Sequence, residues 1–455
     1  MSRRRSAAGG VGGALHAAAA GSAVEPGRRS AMRRIGWGSV ALAGSLAGCG
    51  RSNEDPQGPL DFWAMGREAE VVAELLHVFH ARHPEVRVRV QQLPWTAAHE
   101  KLLTAYAGDA LPDLCQLGNT WLPEFSALDA LEPLDERMAG AGIPRDDYFA
   151  GILDTNLMPT EGGASRLLGL PWYVDTRLIF YRTDLLRAAG HAGPPQTWSD
   201  WRAAMHDILH VTAGRTYGAL LPLNEPDPLF ALSLQQGPVL RDDDTRGAFS
   251  QPPFRRALSF YASLFRDGLA PRMASTQVAN VWDEFARGLF AFYVTGPWNI
   301  GEFRRRLPAD RQGDWAAAPL PGPEGPGVST AGGSSLVIFR SSRRKDAAWK
   351  LIRFLSEPET MQRFHALTGD LPPRRSAWRA PALADDPPSQ AFAQQLERVR
   401  AAPKIPEWER IFQEMQLMAE RVVQAGQGEA AACRELDARV DALLEKRRWL
   451  RSRRA

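Results

Sequence analysis

The pattern of hydrophobic and polar positions from residue 60 to residue 117 switches repeatedly between a strand period and a helix period. Residues 60–63 predict a strand, and an apolar helical stripe follows at Val71, Val72, Leu75, Leu76 and Phe79. Valines then alternate with arginines over residues 86–90, a second amphipathic helix follows, and residues 112–117 form a third apolar strand. This β-α-β-α-β order predicts an α/β fold with a mostly parallel sheet.

Polar and aromatic residues stand at the predicted strand ends, which is where ligands bind in sheets of this kind. Trp63 and Glu68 lie at the end of the first strand, and Asn119 and Trp121 lie at the end of the third. A later apolar run ends in Thr-Gly-Pro-Trp, so that a turn presents Trp298. These residues are candidates for a binding site, although each aromatic residue could equally be a packing residue of the core.

The length of the chain predicts two lobes, because 455 residues exceed what one ordinary core accommodates. We expect an N-terminal lobe from residues 60–174 plus 319–342, and a C-terminal lobe from residues 175–318 plus 343–447. The formal net charge is only +3, which gives no indication of a nucleic-acid partner.

The pattern of residues 168–181 predicts a segment that crosses from one lobe to the other. It reads Leu-Gly-Leu-Pro-Trp-Tyr-Val-Asp-Thr-Arg-Leu-Ile-Phe-Tyr, with a proline that ends one element and a β-rich run that begins the next. It resembles the first interlobe crossover of bacterial extracellular solute-binding proteins of ABC sugar importers, family 1, which include maltose- and trehalose-binding members. The resemblance extends to about residue 444 through Thr-Gly-Pro-Trp at 295–298, Gly-Gly at 332–333 and Pro372.

That resemblance implies a fold and a site. The fold would be the two-lobe, type II periplasmic binding protein fold, in which each lobe is a mostly parallel sheet flanked by helices. Carried over position by position, the residues in contact with the ligand would be Glu68, Asn119, Thr120, Trp121, Tyr173, Asp175, Trp298, Gly333, Ser334 and Arg374, with Trp63 beside them. Gly118 departs from the pattern, because some maltose- and trehalose-binding members have an aspartate there, so their exact sugar does not transfer. Ser334-Ser335 also replaces the Gly-Trp of some members.

The N-terminal region predicts export and lipid attachment. Residues 1–49 comprise an extension followed by a charged, weakly apolar segment that ends in Leu-Ala-Gly-Cys, which resembles a lipobox with Cys49 as the acylated residue. A soluble exported protein cleaved nearby is the alternative. Residues 50–59 predict a tether, and residues 448–455 a basic tail.

The family resemblance also implies partners: a sugar or oligosaccharide as cargo, ABC permease subunits with a cytoplasmic ATPase, and the membrane through the lipid. We expect an extracytoplasmic monomer that needs no cofactor and no metal. His77, His80 and His83 spread over roughly 120° of a helix circumference, which favours a solvent-exposed helix face over a metal site.

An exported carbohydrate-active enzyme is the alternative from a different class. Glu68 and Asp175 would be its paired carboxylates. The chain contains neither a phosphate-binding glycine loop, nor a dinucleotide fingerprint, nor a zinc-protease or nucleophile-elbow motif, so no catalytic residue is predicted. A binding module that serves a sensor instead of an importer also stays open.

Overall fold

The computed structural model describes residues 58–160 and 163–453. Cys49, the predicted signal segment and most of the tether lie outside these residues. The strands are β1 Leu60–Met65, β2 Val88–Leu93, β3 Leu114–Gly118, β4 Leu157–Pro159, β5 Ser165–Leu167, β6 Leu170–Asp175, β7 Leu178–Arg182, β8 Tyr217–Leu220, β9 Leu240–Arg241, β10 Arg246–Gly247, β11 Phe290–Thr295, β12 Trp315–Ala318, β13 Ser329–Thr330, β14 Gly332–Ile338 and β15 Val399–Arg400.

Eighteen helices accompany the strands in the described part of the chain. They are α1 Gly66–Arg82, α2 Trp95–Ala107, α3 Leu122–Ala127, α4 Asp135–Gly140, α5 Ala150–Asp154, α6 Thr183–Ala188, α7 Trp198–Val211, α8 Asp227–Leu234, α9 Pro252–Arg266, α10 Val281–Arg287, α11 Trp298–Arg306, α12 Lys345–Leu355, α13 Pro358–Thr368, α14 Pro381–Ala384, α15 Pro387–Leu396, α16 Trp408–Gln424, α17 Glu429–Leu443 and α18 Glu445–Ser452.

Local sequence explains where several of these helices begin and end. Thr197 caps α7 with a capping box, because its hydroxyl accepts from the Asp200 amide while the Asp200 carboxylate accepts from the Thr197 amide. Asn280 caps α10 through its side chain, and Gly288 ends α10 in a left-handed conformation at φ 83°. Proline opens α9 at the first helical position, where its missing N–H costs nothing.

The first lobe contains a five-stranded sheet in the order β2-β1-β3-β14-β6. Strands β1, β2 and β3 are parallel, whereas β14 runs antiparallel to both β3 and β6. Helices cover both faces of this sheet. One face packs Phe62 and Ile338 against α1, α12 and α13, and the other packs Leu117 and Val337 against α2 and α3.

The second lobe contains a four-stranded sheet in the order β12-β7-β11-β8. Its only parallel neighbours are β8 and β11, and β7 is antiparallel to both of its neighbours. The predicted two-lobe α/β arrangement is present. Each sheet is mixed but mostly parallel, because one strand in each is reversed: β14 in the first lobe and β7 in the second. The crossings that lead into β7 and into β14 each bring in a strand of the opposite direction, which the β-α-β-α-β pattern of the first 60 described residues does not reveal.

The chain crosses between the lobes three times. The first crossing joins β6 to β7 at residues 175–178, and the second joins β12 to β14 through residues 319–331. A third crossing leads from α13 to α15, later in the chain than the predicted return to the second lobe at residue 343. Phe149 and Val174 pack in the same buried cluster as Phe180 and Phe392, so apolar contacts also join the two lobes beside the crossings.

Two predicted boundaries are wrong. Helices α12 and α13 belong to the first lobe, because Trp349 and Phe364 are buried with Phe79 and Ile338, so the second lobe does not resume at residue 343. The predicted basic tail is also partly folded: residues 445–452 form helix α18. The apolar stripes of α12 and α13 indicate that one face of each is buried, but they do not indicate which sheet covers it.

Candidate functional site

The carboxyl ends of β1, β2 and β3 form one edge of the first-lobe sheet, because the three strands are parallel and adjacent. The residues that follow these ends are therefore neighbours. Glu68 lies after β1, Trp95 after β2 and Trp121 after β3. The edge consequently carries indole rings and a carboxylate, which is the composition expected of a site for a ring with polar substituents.

The indoles of this edge pack against one another. The Trp95 and Trp121 ring centroids are 5.6 Å apart and edge-on, and the His99 ring lies 5.0 Å from that of Trp121. Lys101 Nζ lies 4.9 Å from the centre of the Trp63 ring. Trp95 and His99 were missed in the sequence analysis, although Trp95 follows the end of the alternating strand β2 by two residues.

Glu68 faces this aromatic group across Gly66. A Cβ atom at Gly66, whose φ is 52°, would lie 3.0 Å from Glu68 Oε2 and 3.2 Å from Trp95 Nε1. Only glycine leaves the carboxylate and the indole N–H this close to the backbone at a positive φ. Burial raises the pKa of Glu68, while hydrogen bonds from the backbone and from Tyr173 oppose the shift.

A buried polar network lies beneath the site. Gln116 Nε2 donates to Tyr173 Oη and to Ser334 Oγ, each at 3.2 Å, and Gln116 Oε1 accepts from the Met65 amide at 2.7 Å. Ser334 is fully buried, so it supports the site from below. Gln116 was also missed; its signal was a polar residue in the otherwise apolar run Leu-Cys-Gln-Leu.

Gly333 permits this arrangement of strands. Its φ is 116°, and a Cβ atom there would lie 2.2 Å from the Tyr173 carbonyl oxygen. The register of β14 against β6 shifts nearby, between Ser334 and Ser335. A side chain at position 333 would therefore push β14 away from the strand that carries Tyr173.

A charged group occupies the first crossing. Arg177 donates to Asp175 at 2.5 Å and forms an ion pair with Asp227 at 3.0 Å, and its guanidinium lies 5.0 Å from the centre of the Trp298 ring. The Trp298 side chain is 41% exposed. Burial raises the pKa of Asp175 and the Arg177 charge opposes this; burial lowers the pKa of Arg177, but the Asp175 and Asp227 charges outweigh it, so that pKa is raised.

Asp370 adds a third carboxyl group near Glu68 and Asp175. Val174 and Leu371 form an antiparallel bridge, in which the Val174 amide donates to the Leu371 carbonyl at 2.9 Å. The antiparallel register places Asp370 opposite Asp175. Burial raises the pKa of Asp370 to about 8, with further contributions from the Glu68 and Asp175 charges.

A cavity of about 310 Å³ lies in the second lobe, lined among others by Leu220, Asn280, Trp282, Tyr293 and Arg306. Trp282 Nε1 donates to Asn299 Oδ1 at 2.8 Å, which connects the cavity wall to the helix that begins at Trp298. Burial raises the pKa of Tyr293 to about 12, with a further contribution from the nearby Glu225. Tyr293 therefore lines this cavity and lies close enough to Glu225 for the two groups to interact electrostatically.

Three predicted site residues are engaged elsewhere. Asn119 and Thr120 line a cavity of about 10 Å³ on the side of residues 401–404, too small for a sugar ring. Arg374 donates to Asp147 and to the Ser356 carbonyl, each at 2.6 Å. None of their described contacts joins them to Glu68, Asp175 or Trp298.

Eight predicted residues remain. Gly333 and Ser334 lie in β14 and support the site from its backbone and its buried side. Trp63, Glu68 and Trp121 lie at the strand ends of the first lobe, Tyr173 and Asp175 lie at the first crossing, and Trp298 follows the end of β11. Within the residues that the structure describes, no group of three or more His, Cys, Asp or Glu side chains is arranged to hold a metal ion. None of the described helices is both long and apolar enough to cross a membrane.

Two α/β lobes joined by three crossings, with aromatic rings and carboxyl groups at the strand ends of the first lobe and at the first crossing, match the architecture of a solute-binding protein. The profile of the bacterial extracellular solute-binding protein family matches residues 65–362, so the chain belongs to that family. The family predicted from the crossover sequence is confirmed, and with it the two-lobe α/β fold class.

Solved structures and a curated relative agree with this assignment. The sugar-binding protein MalE from Xanthomonas citri is 54% identical, with a TM-score of 0.83 over 87% of this chain and 99% of that one. An ABC transporter solute-binding protein from Thermotoga lettingae bound with α-D-tagatose is 26% identical, with a TM-score of 0.71 over 85% and 99%. An uncharacterized lipoprotein from Streptomyces antibioticus is 27% identical, over 82% of this chain and 85% of that one.

Proposed function

We propose that this protein is the substrate-binding component of an ABC importer and that it binds a sugar or an oligosaccharide between its lobes. The observation that carries the proposal is the convergence of the exposed Trp298 ring with Asp175 and Arg177 at the first crossing. An indole face next to charged hydrogen-bonding groups matches a sugar, which has apolar ring faces and a rim of hydroxyl groups. The sugar-binding name of the 54% identical relative supports the same class of ligand.

The contacts that we propose come from both lobes. Trp63, Glu68, Trp95 and Trp121 supply the first-lobe surface, and Trp298 supplies the second-lobe surface. Tyr173 and Asp175 lie between them at the crossing. Asp370 adds a carboxyl group whose raised pKa favours the protonated form, which can donate to a sugar hydroxyl. The cavity beside Tyr293 and Trp282 gives room for a further ring of an oligosaccharide.

We propose that the lobes close on the ligand by bending at residues 175–178 and 319–331. Both segments connect one sheet to the other and so can absorb the change in backbone angles. The ligand would select the closed form because only that form presents both surfaces to it. The closed protein would then deliver the sugar to a permease driven by a cytoplasmic ATPase.

The proposal includes extracytoplasmic localisation, attachment to the membrane through an acylated Cys49, and a monomeric state. The family, which is one of extracellular proteins, supports the localisation, and the lipoprotein name of one relative supports the anchor. No chemical change of the sugar is part of the proposal, and Glu68 and Asp175 are assigned to binding.

A thermal-shift screen of residues 58–455 against mono-, di- and oligosaccharides tests this function. These residues contain every described element and match the extent of the solved relatives, so this chain should fold without the N-terminal segment. A ligand that binds only the native state raises the melting temperature by mass action. The absence of a shift with any carbohydrate would contradict the sugar proposal, and release of hydrolysis products from a hit would favour the enzyme alternative.

A further inference from the structure

Helix α18, Glu445–Ser452, exposes two large apolar side chains next to each other. Trp449 is 51% exposed and Leu450 is 41% exposed. Five of the nine residues from 445 to 453 are Lys or Arg, and one is Glu. Exposed tryptophan and leucine on a short basic helix are unusual on a protein that only contacts water.

One side of α18 is fixed to the second lobe by three arginines. Arg448 donates to the Thr245 carbonyl at 2.8 Å, Arg447 lies 3.9 Å from Glu407, and Arg451 lies 3.3 Å from Asp243. These contacts hold the helix against the body of the protein. Asp243 is itself exposed, and its ion pair with Arg451 offsets its charge.

The opposite side of α18 carries Lys446, Trp449, Leu450 and Arg453, all of them exposed. At 100° per residue these four positions fall within about 100° of the helix circumference, and the three arginines that contact the body lie on the far side. The Arg453 guanidinium lies 4.3 Å from the centre of the Trp449 ring. Among the described contacts, none joins Lys446 to an acidic side chain. We call these four residues the outer face of α18.

We propose that the outer face of α18 docks on an anionic membrane surface. Tryptophan and leucine favour the boundary between lipid headgroups and acyl chains, and lysine and arginine are attracted to anionic headgroups. Both kinds of residue project from the same side of a helix whose other side is fixed, so they can enter the interface together. Because α18 packs on α17, the contact would hold the second lobe at the membrane.

This contact is separate from the proposed lipid on Cys49 and from the sugar cleft. A chain that begins at residue 58 carries no acyl group, so any binding of that chain to vesicles reports on the protein surface alone. Docking of α18 would orient the two lobes relative to the membrane.

The experiment measures co-sedimentation of residues 58–455 with vesicles of phosphatidylcholine alone and with vesicles of equal parts phosphatidylcholine and phosphatidylglycerol. We expect binding to the anionic vesicles only, weakening as salt is added. The double variant Trp449→Ser/Leu450→Ser and the double variant Lys446→Glu/Arg453→Glu should each bind at least about tenfold more weakly, since both apolar burial and charge contribute.

The matched control is Leu417→Ser on α16, which removes a leucine that is 44% exposed outside α18 and should bind vesicles like the parent chain. Equal binding to both vesicle types, or undiminished binding by both double variants, would overturn the proposal. So would a concentration-dependent dimer that Trp449→Ser/Leu450→Ser abolishes, because a second copy would then be the partner of the outer face. All variants should keep the ligand-induced thermal shift, so failure here is distinguishable from failure of the proposed cleft.

Discussion

The proposed site has two parts that are built in different ways: the first-lobe surface at the strand ends, and the group around Arg177 at the first crossing. On the first lobe, Trp95 and Trp121 pack against each other within one lobe, at strand ends that a single sheet fixes. At the crossing, Asp175, Asp227 and Trp298 come from separate segments and are held together by one side chain, Arg177. The first surface should therefore persist when the lobes move, whereas the second depends on Arg177.

Substitution of Arg177 should give the largest effect. Arg177→Met leaves Asp175 and Asp227 partly buried without their cation, which we expect to cost about 2–3 kcal/mol of unfolding free energy. It should also weaken ligand binding, since Asp175 and Trp298 lose the group that positions them. Urea unfolding and isothermal calorimetry measure the two effects.

Arg182 provides the matched control for Arg177. It is a buried arginine on β7 that pairs with Asp184 at 2.7 Å, donates to the Phe285 carbonyl at 2.6 Å and also lies near an aromatic ring. Arg182→Met should destabilise the fold by a similar amount but leave ligand affinity unchanged. Equal losses of affinity in the two variants would show that Arg177 acts only through stability.

Tryptophan substitutions should give the next largest effects, and they should affect the two surfaces differently. Trp298→Ala should weaken ligand binding at least about tenfold, or about 1.4 kcal/mol, with little change in melting temperature, because the ring is exposed and available to a sugar. Trp121→Ala should instead lower the melting temperature, because it removes the packing against Trp95 and His99. Unchanged affinity in Trp298→Ala would mean that the site is misplaced.

Sequence alone could predict candidate site residues where neighbouring residues in the chain supply them. Trp63 and Glu68 lie at the end of one predicted strand, and Tyr173 and Asp175 lie within one crossover, so strand ends and the family resemblance predict both pairs. Trp298 was predicted in the same way, from the turn that ends β11.

Residues whose role depends on distant segments could not be found in this way. Arg177 lies within the crossover sequence, but its ion pair with Asp227 forms only when the second lobe is folded, so the sequence did not predict it. Asp370 becomes a neighbour of Asp175 only through the bridge between Val174 and Leu371. An amphipathic pattern specifies which face of a segment is buried but not its partner, which is also why α12 and α13 were assigned to the wrong lobe.

The smallest expected effect concerns Glu68 on the first-lobe surface. It is a change in how the folding stability depends on pH. Burial raises the pKa of Glu68 in the folded protein, so the folded state keeps this proton to higher pH than the unfolded chain does. Stability therefore falls as the pH rises from the ordinary glutamate pKa, about 4.3, through the raised pKa of Glu68.

Glu68→Gln should remove this contribution, so that the variant gains melting temperature relative to the parent chain as the pH rises through that window. Melting curves of the ligand-free proteins at a series of pH values measure the difference. The effect should persist in the Arg177→Met background, because Glu68 is buried by its own lobe and hydrogen-bonded to Tyr173. Loss of the pH-dependent difference in that background would show that the first-lobe surface also depends on Arg177, and that the two surfaces form one coupled unit.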